Sequence, residues 1–291
     1  MDPPSHLEPY PSPSHLTLAT RTHTQPPFTI STRKLPILKA GPIDALAARV
    51  GIPIPEMIFG DNLVTVAHPS SGWSISFSAE RALDTVDKTG EAGMLSVAYA
   101  REWSSSREKT SAGIKEVVRP FDWSYSASYR GDEVRAATAA AGPGAGKGLE
   151  KVGEGGNGIP LELLKRRDPI LFADEVVLYE SELDDNGISV MSVKVRVMEQ
   201  RMLLLCRLFM RLDGVVVRVR DTRVYVDFDK QVVIREYTAR EDVFENVKRN
   251  LYMSGLMPDA ITIALRDSNQ VANLLPVVEN SLESVCLAPN P

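Results

Sequence analysis

The arginines in the second half of the chain are the residues whose type and spacing point most clearly to chemistry. They recur at strand spacing with Asp213, Asp221 and Glu236 between them, and comprise Arg207, Arg211, Arg218, Arg220, Arg223 and Arg235. We expect these arginines to share one face of neighbouring strands. Guanidinium forks suit the recognition of carboxylates, including a peptide C-terminus. A solvated sheet face with cross-strand ion pairs would use the same pattern.

A glycine-rich stretch offers a second kind of chemistry. The sequence AGPGAGKG at 141–148 resembles a phosphate-binding loop that would present Lys147 to a nucleotide. Ala141 stands where such a loop has its first glycine, and Gly148 stands where it has serine or threonine. The stretch is therefore interpreted as a flexible loop, with a nucleotide-dependent enzyme kept as an alternative.

Metal-dependent and nucleophilic catalysis have little support in the sequence. The acidic pairs Asp184-Asp185 and Asp227-Asp229 could hold a divalent ion, but each lies at a predicted turn, where aspartate is favoured by its backbone hydrogen bonding. Three of the four histidines lie in the first 27 residues, and His68 is predicted to end a strand. The two cysteines, Cys206 and Cys286, are too few for a disulfide framework. We therefore predict no enzyme, no cofactor and no metal.

Composition and charge limit the kinds of partner that the chain can bind. The 291 residues are 43% hydrophobic, which is enough for a sizeable core, and the net charge is -5. The acidic balance without a long basic run disfavours a nucleic-acid partner. No stretch reaches the roughly 18–20 apolar residues of a membrane helix. We therefore predict a protein of the cytoplasm or nucleus without a membrane partner.

Two breaks in composition divide the chain. Residues 1–27 are rich in proline, serine and threonine, which is typical of a disordered tail. Residues 131–158 are dominated by glycine and alanine, which indicates a flexible insertion. The strands on either side of the insertion look too few for two independent sheets, so we predict one domain over 28–287.

Local patterns predict short helices and strands in the first half. Pro42 and Gly51 bracket a short helix, and Ser78 is expected to cap another. The remaining elements are predicted strands at 58–67, 72–77 and Phe121–Tyr129, and a helix near Trp103 within 94–107.

The second half predicts an antiparallel meander. Asp185-Asn186-Gly187 and Asp213-Gly214 are hairpin turn signals, and the even positions from Met202 to Leu212 are all apolar. The predicted strands are 170–183, 191–197, 202–212, 215–220, 223–228 and 231–237. With helical patches over 241–285, the fold class is α+β: a single antiparallel meander, curved sheet or sandwich with several short helices.

The chain resembles the TIP-like (TIP forty-one) family of TOR signalling regulators. The segments that carry the resemblance span about 190 residues in the expected order. They are PEMIFGDN at 55–62, EWSSSR at 102–107, RPFDWSYSASYRG at 119–131, DEVVLYESELDDNGIS at 174–189, VKVRVM at 193–198, FMRLDGVVVRVRDTRVY at 209–225 and REYTARE at 235–241.

The resemblance implies a non-enzymatic regulator that binds type 2A-family phosphatase catalytic subunits, with their C-terminal tail as a candidate segment, and modulates their activity or assembly. Other phosphatase-associated regulators are further candidate partners. Family positions associated with this binding match Asp221 and Val219 in the strand ending DTR, and an apolar connector position matches Ile159.

The residues themselves suggest how such a site would work. We expect Val219 at a strand exit, in a short apolar pocket where Arg223 pairs with a partner carboxylate and Asp221 either accepts a hydrogen bond from the partner or orients Arg223. Asp221 as a turn cap paired locally with Arg223 is the alternative. A structural scaffold, whose arginine face packs on its own C-terminal helices, is the remaining alternative function.

Overall fold

The computed structural model describes residues 13–88, 124–136, 146–153, 156–183 and 185–288. Thirteen strands and seven mostly short helices lie within these ranges.

The first sheet has five antiparallel strands in the order β1-β2-β4-β5-β6. Its strands are β1 (Thr20–Gln25), β2 (Phe28–Arg33), β4 (Leu63–His68), β5 (Trp73–Ser78) and β6 (Asp132–Val134), and the helices of this part are α1 (Pro13–Ala19), α2 (Ala40–Val50) and α3 (Ala79–Asp84). Gly51 ends α2 in the left-handed conformation, and the Ser78 hydroxyl accepts the Arg81 N–H at the start of α3. Both predicted helix boundaries are thus confirmed.

The second sheet has eight antiparallel strands in the order β3-β8-β9-β10-β11-β12-β13-β7. Its strands are β3 (Met57–Ile58), β7 (Glu150–Lys151), β8 (Phe172–Ser181), β9 (Gly187–Val197), β10 (Arg201–Leu212), β11 (Val216–Asp227), β12 (Val232–Val243) and β13 (Val277–Cys286). Strands β8 to β12 are consecutive neighbours, so the predicted meander is confirmed.

The two sheets pack face to face around one apolar core. Phe28 and Ile75 of the first sheet and Leu204 and Val224 of the second belong to the same buried cluster. The even positions of β10 all lie in this cluster, because alternate side chains of a strand point to the same face. The α+β fold with antiparallel sheets and short helices is confirmed, and it takes the form of a sandwich.

Four helices lie in the described part of the second half of the chain. They are α4 (Leu161–Leu164), α5 (Phe244–Met253), α6 (Pro258–Ala264) and α7 (Ser268–Ala272). Helices α5 to α7 confirm the predicted helical patches up to residue 272, but the prediction is wrong for 277–285, which belong to the return strand β13. The buried residues of α5 to α7 cluster with Phe209, Val217 and Val219. The second sheet is therefore covered by the first sheet on its inner face and partly by helices on its outer face.

The expectation of a disordered tail over 1–27 is wrong for residues 13–25, which form α1 and β1, while residues 1–12 lie outside the described residues. All six residues of β1 pair with β2. Arg21 lies 3.1 Å from Asp174, and the His23 ring stacks on Phe172. β1 is held in place by contacts with residues distant in sequence, and the composition of the segment does not reveal such contacts.

Three further expectations need correction. The chain has enough strands for two sheets, because β1 and β2 lie before the first predicted strand and β6 adds an edge strand to the first sheet. The predicted insertion over 131–158 contributes β6 and β7, while 137–145 and 154–155 lie outside the described residues. Residues 124–129 of the predicted aromatic strand are not a strand, and Phe121–Trp123 and the predicted helix at 94–107 lie outside the described residues.

Candidate partner-binding site

The outer face of the second sheet carries all the residues predicted from the sequence to bind a partner. Val219, Asp221 and Arg223 alternate along β11 and therefore point to this face. The connector residue Ile159 packs on Tyr225, further along the same face. The strand is continuous from Val216 to Asp227, so the expected strand exit after Val219 is wrong.

Val219 forms part of the floor beneath the C-terminal helices. It is fully buried and clusters with Phe209 and Val217 from the sheet and with Val247 and Leu251 from α5. Val219 is thus a packing residue that helps to position the helices on the sheet.

Asp221 is held in a buried ion pair. Its side chain is 1% exposed, and its two carboxylate oxygens accept hydrogen bonds from Nε and Nη2 of Arg207, each at 2.7 Å. Arg240 approaches the same carboxylate at 3.9 Å. The sequence suggested Arg223 as the local partner; the structure shows Arg207 from the neighbouring strand β10.

Arg207 also connects the sheet to α7. Its Nη1 donates to the Ser268 hydroxyl at 3.2 Å and to the Asn269 side-chain oxygen at 2.9 Å. Arg211 similarly donates to the backbone carbonyl of Leu265 at 3.0 Å. Two arginines of the expected set therefore do contact the C-terminal helices, as the scaffold alternative proposed.

Arg223 is the accessible member of the site. Its side chain is 37% exposed, and its nearest carboxylate is that of Glu236 on β12, at 3.9 Å. Glu236 also accepts the backbone N–H of Ile159 at 2.9 Å. Ile159 is buried against Tyr225 and Ile234, so Glu236 joins Arg223 to the connector segment.

These residues form a strip that we call the outer trough, bounded by α7 on one side and by the segment around Ile159 on the other. Leu205, Arg207 and Arg223 lie along it. Next to α7 it contains a cleft of about 210 Å³ that is also lined by Lys194. A partly exposed guanidinium beside apolar surface can pair with a carboxylate on an incoming chain.

The arginines lie on both faces of the sheet, so the expectation of a single arginine face is wrong. Cross-strand register places Arg207, Arg211 and Arg223 on the outer face and Arg218, Arg220 and Arg235 on the inner face. A strand turns every second side chain to the other face, and the arginines of β11 occupy both parities.

The inner arginines are engaged by carboxylates. Arg218 and Arg220 lie 2.5 and 2.8 Å from Glu241, and Arg235 lies 2.7 Å from Glu283. Burial by itself would raise the pKa of Glu241, but the hydrogen bonds from the two arginines outweigh it and lower the pKa below its usual value. Glu241 is therefore ionised and structural at neutral pH.

The lysine and the acidic residues that could serve nucleotide or metal chemistry instead make contacts that support loops and turns. The Lys147 ammonium donates to the Ala288 carbonyl at 3.1 Å, while 141–145 lie outside the described residues. Asp227 accepts the Lys230 N–H in a hairpin turn, and Asp185 adopts a positive φ of 64° in another. The described residues contain no group of three or more His, Cys, Asp or Glu placed to hold a metal.

His68 ends β4, as predicted, and its side chain is buried. Its Nδ1 lies 2.7 Å from the Ser71 hydroxyl and its Nε2 lies 3.2 Å from Oε1 of Gln231. Burial lowers the pKa of His68, and the hydrogen bond with Gln231 partly opposes that effect. Cys206 is also buried, which raises the pKa of its thiol and makes it a core residue.

The fold and site together define an α+β sandwich with a polar trough on the outer face of its larger sheet. A family model described as the TIP41-like family matches residues 57–248. A TIP41-like protein of Rattus norvegicus is 37% identical over 271 residues, covering 91% of each chain. The chain belongs to the TIP41-like family, and the resemblance inferred from the sequence is confirmed.

Two similar fungal proteins carry more specific names. The Type 2A phosphatase activator TIP41 of Saccharomyces cerevisiae is 38% identical over 275 residues, covering 89% of this chain and 72% of that protein. The Type 2A phosphatase activator tip41 of Schizosaccharomyces pombe is 29% identical over 255 residues, covering 88% and 94%. None of the helices in the described ranges is both long and apolar enough to cross a membrane.

Proposed function

We propose that this chain is a non-enzymatic regulator that binds type 2A-family phosphatase catalytic subunits and modulates their activity or assembly in TOR signalling, in the cytoplasm or nucleus. The names of the two fungal relatives support this proposal. The family match over 57–248 includes β10, β11 and β12, which form the outer trough.

In this proposal the outer trough receives a segment of the catalytic subunit, such as its C-terminal tail. Arg223 pairs with a carboxylate of that segment. Val219 and Ile159 act from below the surface, because each holds one boundary of the trough in place. Asp221 acts through Arg207, whose guanidinium it fixes between the sheet and α7.

The accessibility of Arg223 is the observation that carries the proposal. Its contact with Glu236 at 3.9 Å is longer than a charge-assisted hydrogen bond of about 2.7–2.9 Å. A partner carboxylate would therefore make a better bond than the one it replaces. By contrast, Arg207 already directs its guanidinium nitrogens to Asp221, Ser268 and Asn269.

The test measures binding of the full chain to a purified type 2A catalytic subunit by titration calorimetry. Arg223→Ala should weaken binding by about 1–2 kcal/mol, which is roughly 5- to 30-fold. Arg166→Ala is the matched control: Arg166 is also a partly exposed arginine with one long ion pair, 3.5 Å from Asp168, but it follows α4.

The affinity of Arg166→Ala for the catalytic subunit should equal that of the unsubstituted chain. Equal affinity of Arg223→Ala and the control would remove Arg223 from the site. Absence of binding by the unsubstituted chain would refute the proposed function itself. Titration with ATP and Mg²⁺ tests the enzyme alternative, because saturable binding at micromolar concentration would support a nucleotide site.

A further inference from the structure

A second concave surface lies between α5 and α6, and Arg266 lines both this surface and the cleft of the outer trough. This helix groove has a volume of about 720 Å³, within the roughly 300–1,000 Å³ typical of ligand sites. Its buried floor consists of Phe244, Ile261 and Leu265, which belong to the cluster under the C-terminal helices. The groove can therefore accept an apolar side chain without unfolding either helix.

Both walls of the helix groove are fixed by the α5–α6 connection. The Gly255 N–H donates to the Tyr252 carbonyl at 2.9 Å, and the Leu256 N–H donates to the Leu251 carbonyl at 3.3 Å. Gly255 takes a φ of 91°, which glycine adopts without strain. A preformed groove loses little conformational freedom when it binds a ligand.

Large apolar side chains remain exposed around this connection. Tyr252, which lines the groove, is 63% exposed, and Met253 and Met257 beside it are also exposed. Burying such side chains against a partner is favourable at about 25 cal/mol per Å² of apolar surface. The floor and rim together therefore favour a ligand with a large apolar group.

The charge around the groove is opposite to that of the whole chain. Its lining contains four cations and two carboxylates, although acidic residues outnumber basic ones in the protein, 38 to 33. Asp213, one of the two carboxylates, already pairs with Arg211 at 2.6 Å. No carboxylate of the described residues forms an ion pair with Lys248 or Arg266, so both are available to an acidic ligand.

We propose that the helix groove binds an acidic segment of a partner protein, with a large apolar side chain inserted between α5 and α6. Carboxylates of that segment pair with Lys248, Arg249 and Arg266, which project from two separate parts of the chain. Dispersed cations match several carboxylates spaced along a peptide. The groove shares Arg266 with the cleft of the outer trough, but its apolar floor and its other cations do not line that cleft, so the proposal does not depend on phosphatase binding.

The test uses a fluorescein-labelled peptide, EELFDELFEE, and measures its anisotropy with the full chain. We expect saturable binding with a Kd of about 1–100 μM, typical of a short linear segment with few anchors. Lys248→Glu/Arg249→Glu should weaken it about tenfold or more, since reversed charges at the rim repel the peptide.

Two controls separate the groove from general charge effects. Lys165→Glu/Arg166→Glu makes the same charge change at another exposed Lys-Arg pair, and it should keep affinity within about threefold. The peptide EESSDESSEE keeps the charge but lacks the apolar groups, so it should bind about tenfold more weakly or worse. All four substituted residues are exposed, and circular dichroism checks that each variant is folded.

Several outcomes would overturn the proposal. They are no saturable binding, equal loss in both double variants, and equal binding of the serine-containing peptide. Sedimentation velocity gives one more outcome that would overturn the proposal. If the chain forms dimers that Lys248→Glu/Arg249→Glu abolishes, the groove is an interface between copies of this chain.

Discussion

Replacing Asp221 with asparagine tests whether its buried ion pair supports the fold or the partner site. The substitution keeps the shape of the side chain but removes its charge. One of the two oxygens that accept from Arg207 at 2.7 Å becomes an amide donor that faces another donor. The positive charge of Arg207 then remains, mostly buried, without its partner carboxylate.

The expected cost follows from the burial of both partners. Breaking a buried ion pair by removing one partner costs roughly 3–5 kcal/mol. Arg207 is 14% exposed, so water solvates part of its freed charge and we expect about 2–4 kcal/mol. For a chain of this size that corresponds to a fall in Tm of roughly 3–7 °C.

Urea denaturation followed by circular dichroism measures the loss. Asp213→Asn is the matched control, because Asp213 also pairs with an arginine of β10 but is 49% exposed, and it should cost less than about 1 kcal/mol. Equal stability of the two variants would refute the structural role of Asp221. If Asp221→Asn were stable yet failed to bind the catalytic subunit, Asp221 would contact the partner directly.

Two further predictions concern stability. Deleting residues 1–27 should destabilise the chain by roughly 2 kcal/mol or more, because each of the six cross-strand pairs of β1 is worth about 0.2–1 kcal/mol. Differential scanning fluorimetry measures the effect, and an unchanged Tm would contradict the prediction. Between about pH 7 and 5 stability should fall, because the unfolded chain protonates His68 near its ordinary pKa of about 6.5 while burial keeps the folded pKa lower. His68→Gln should show a smaller fall in urea titrations at several pH values, and an equal fall would assign the effect to other groups.

The hairpin patterns made much of the second sheet predictable from the sequence. The Asp213-Gly214 signal locates the hairpin between β10 and β11 but does not fix its register. A two-residue loop at 213–214 would place residue 207 opposite 220, whereas the three-residue loop at 213–215 in the structure places it opposite 221. The pairing of Asp221 with Arg207 therefore depends on a loop length that the turn signal alone does not give.

The first sheet was harder to predict because long-range contacts decide its structure. β1 has a polar composition and adopts a strand only by pairing with β2, and β6 contributes three residues to the other edge. Neither strand has enough apolar residues to reveal itself by periodicity. The helical cover over Val219 was likewise invisible locally, since α5 to α7 follow it by more than twenty residues.

The pair of Asp221 and Arg207 gives the outer face an arrangement that apolar residues could not supply. Well-packed apolar residues can replace a buried ion pair without loss of stability in some proteins. Here, however, the guanidinium uses Nε and Nη2 for Asp221 and directs Nη1 to Ser268 and Asn269. An apolar pair would fill the same space but would leave α7 held by packing alone. The charge pair therefore fixes the position of α7, and with it the boundary of the outer trough.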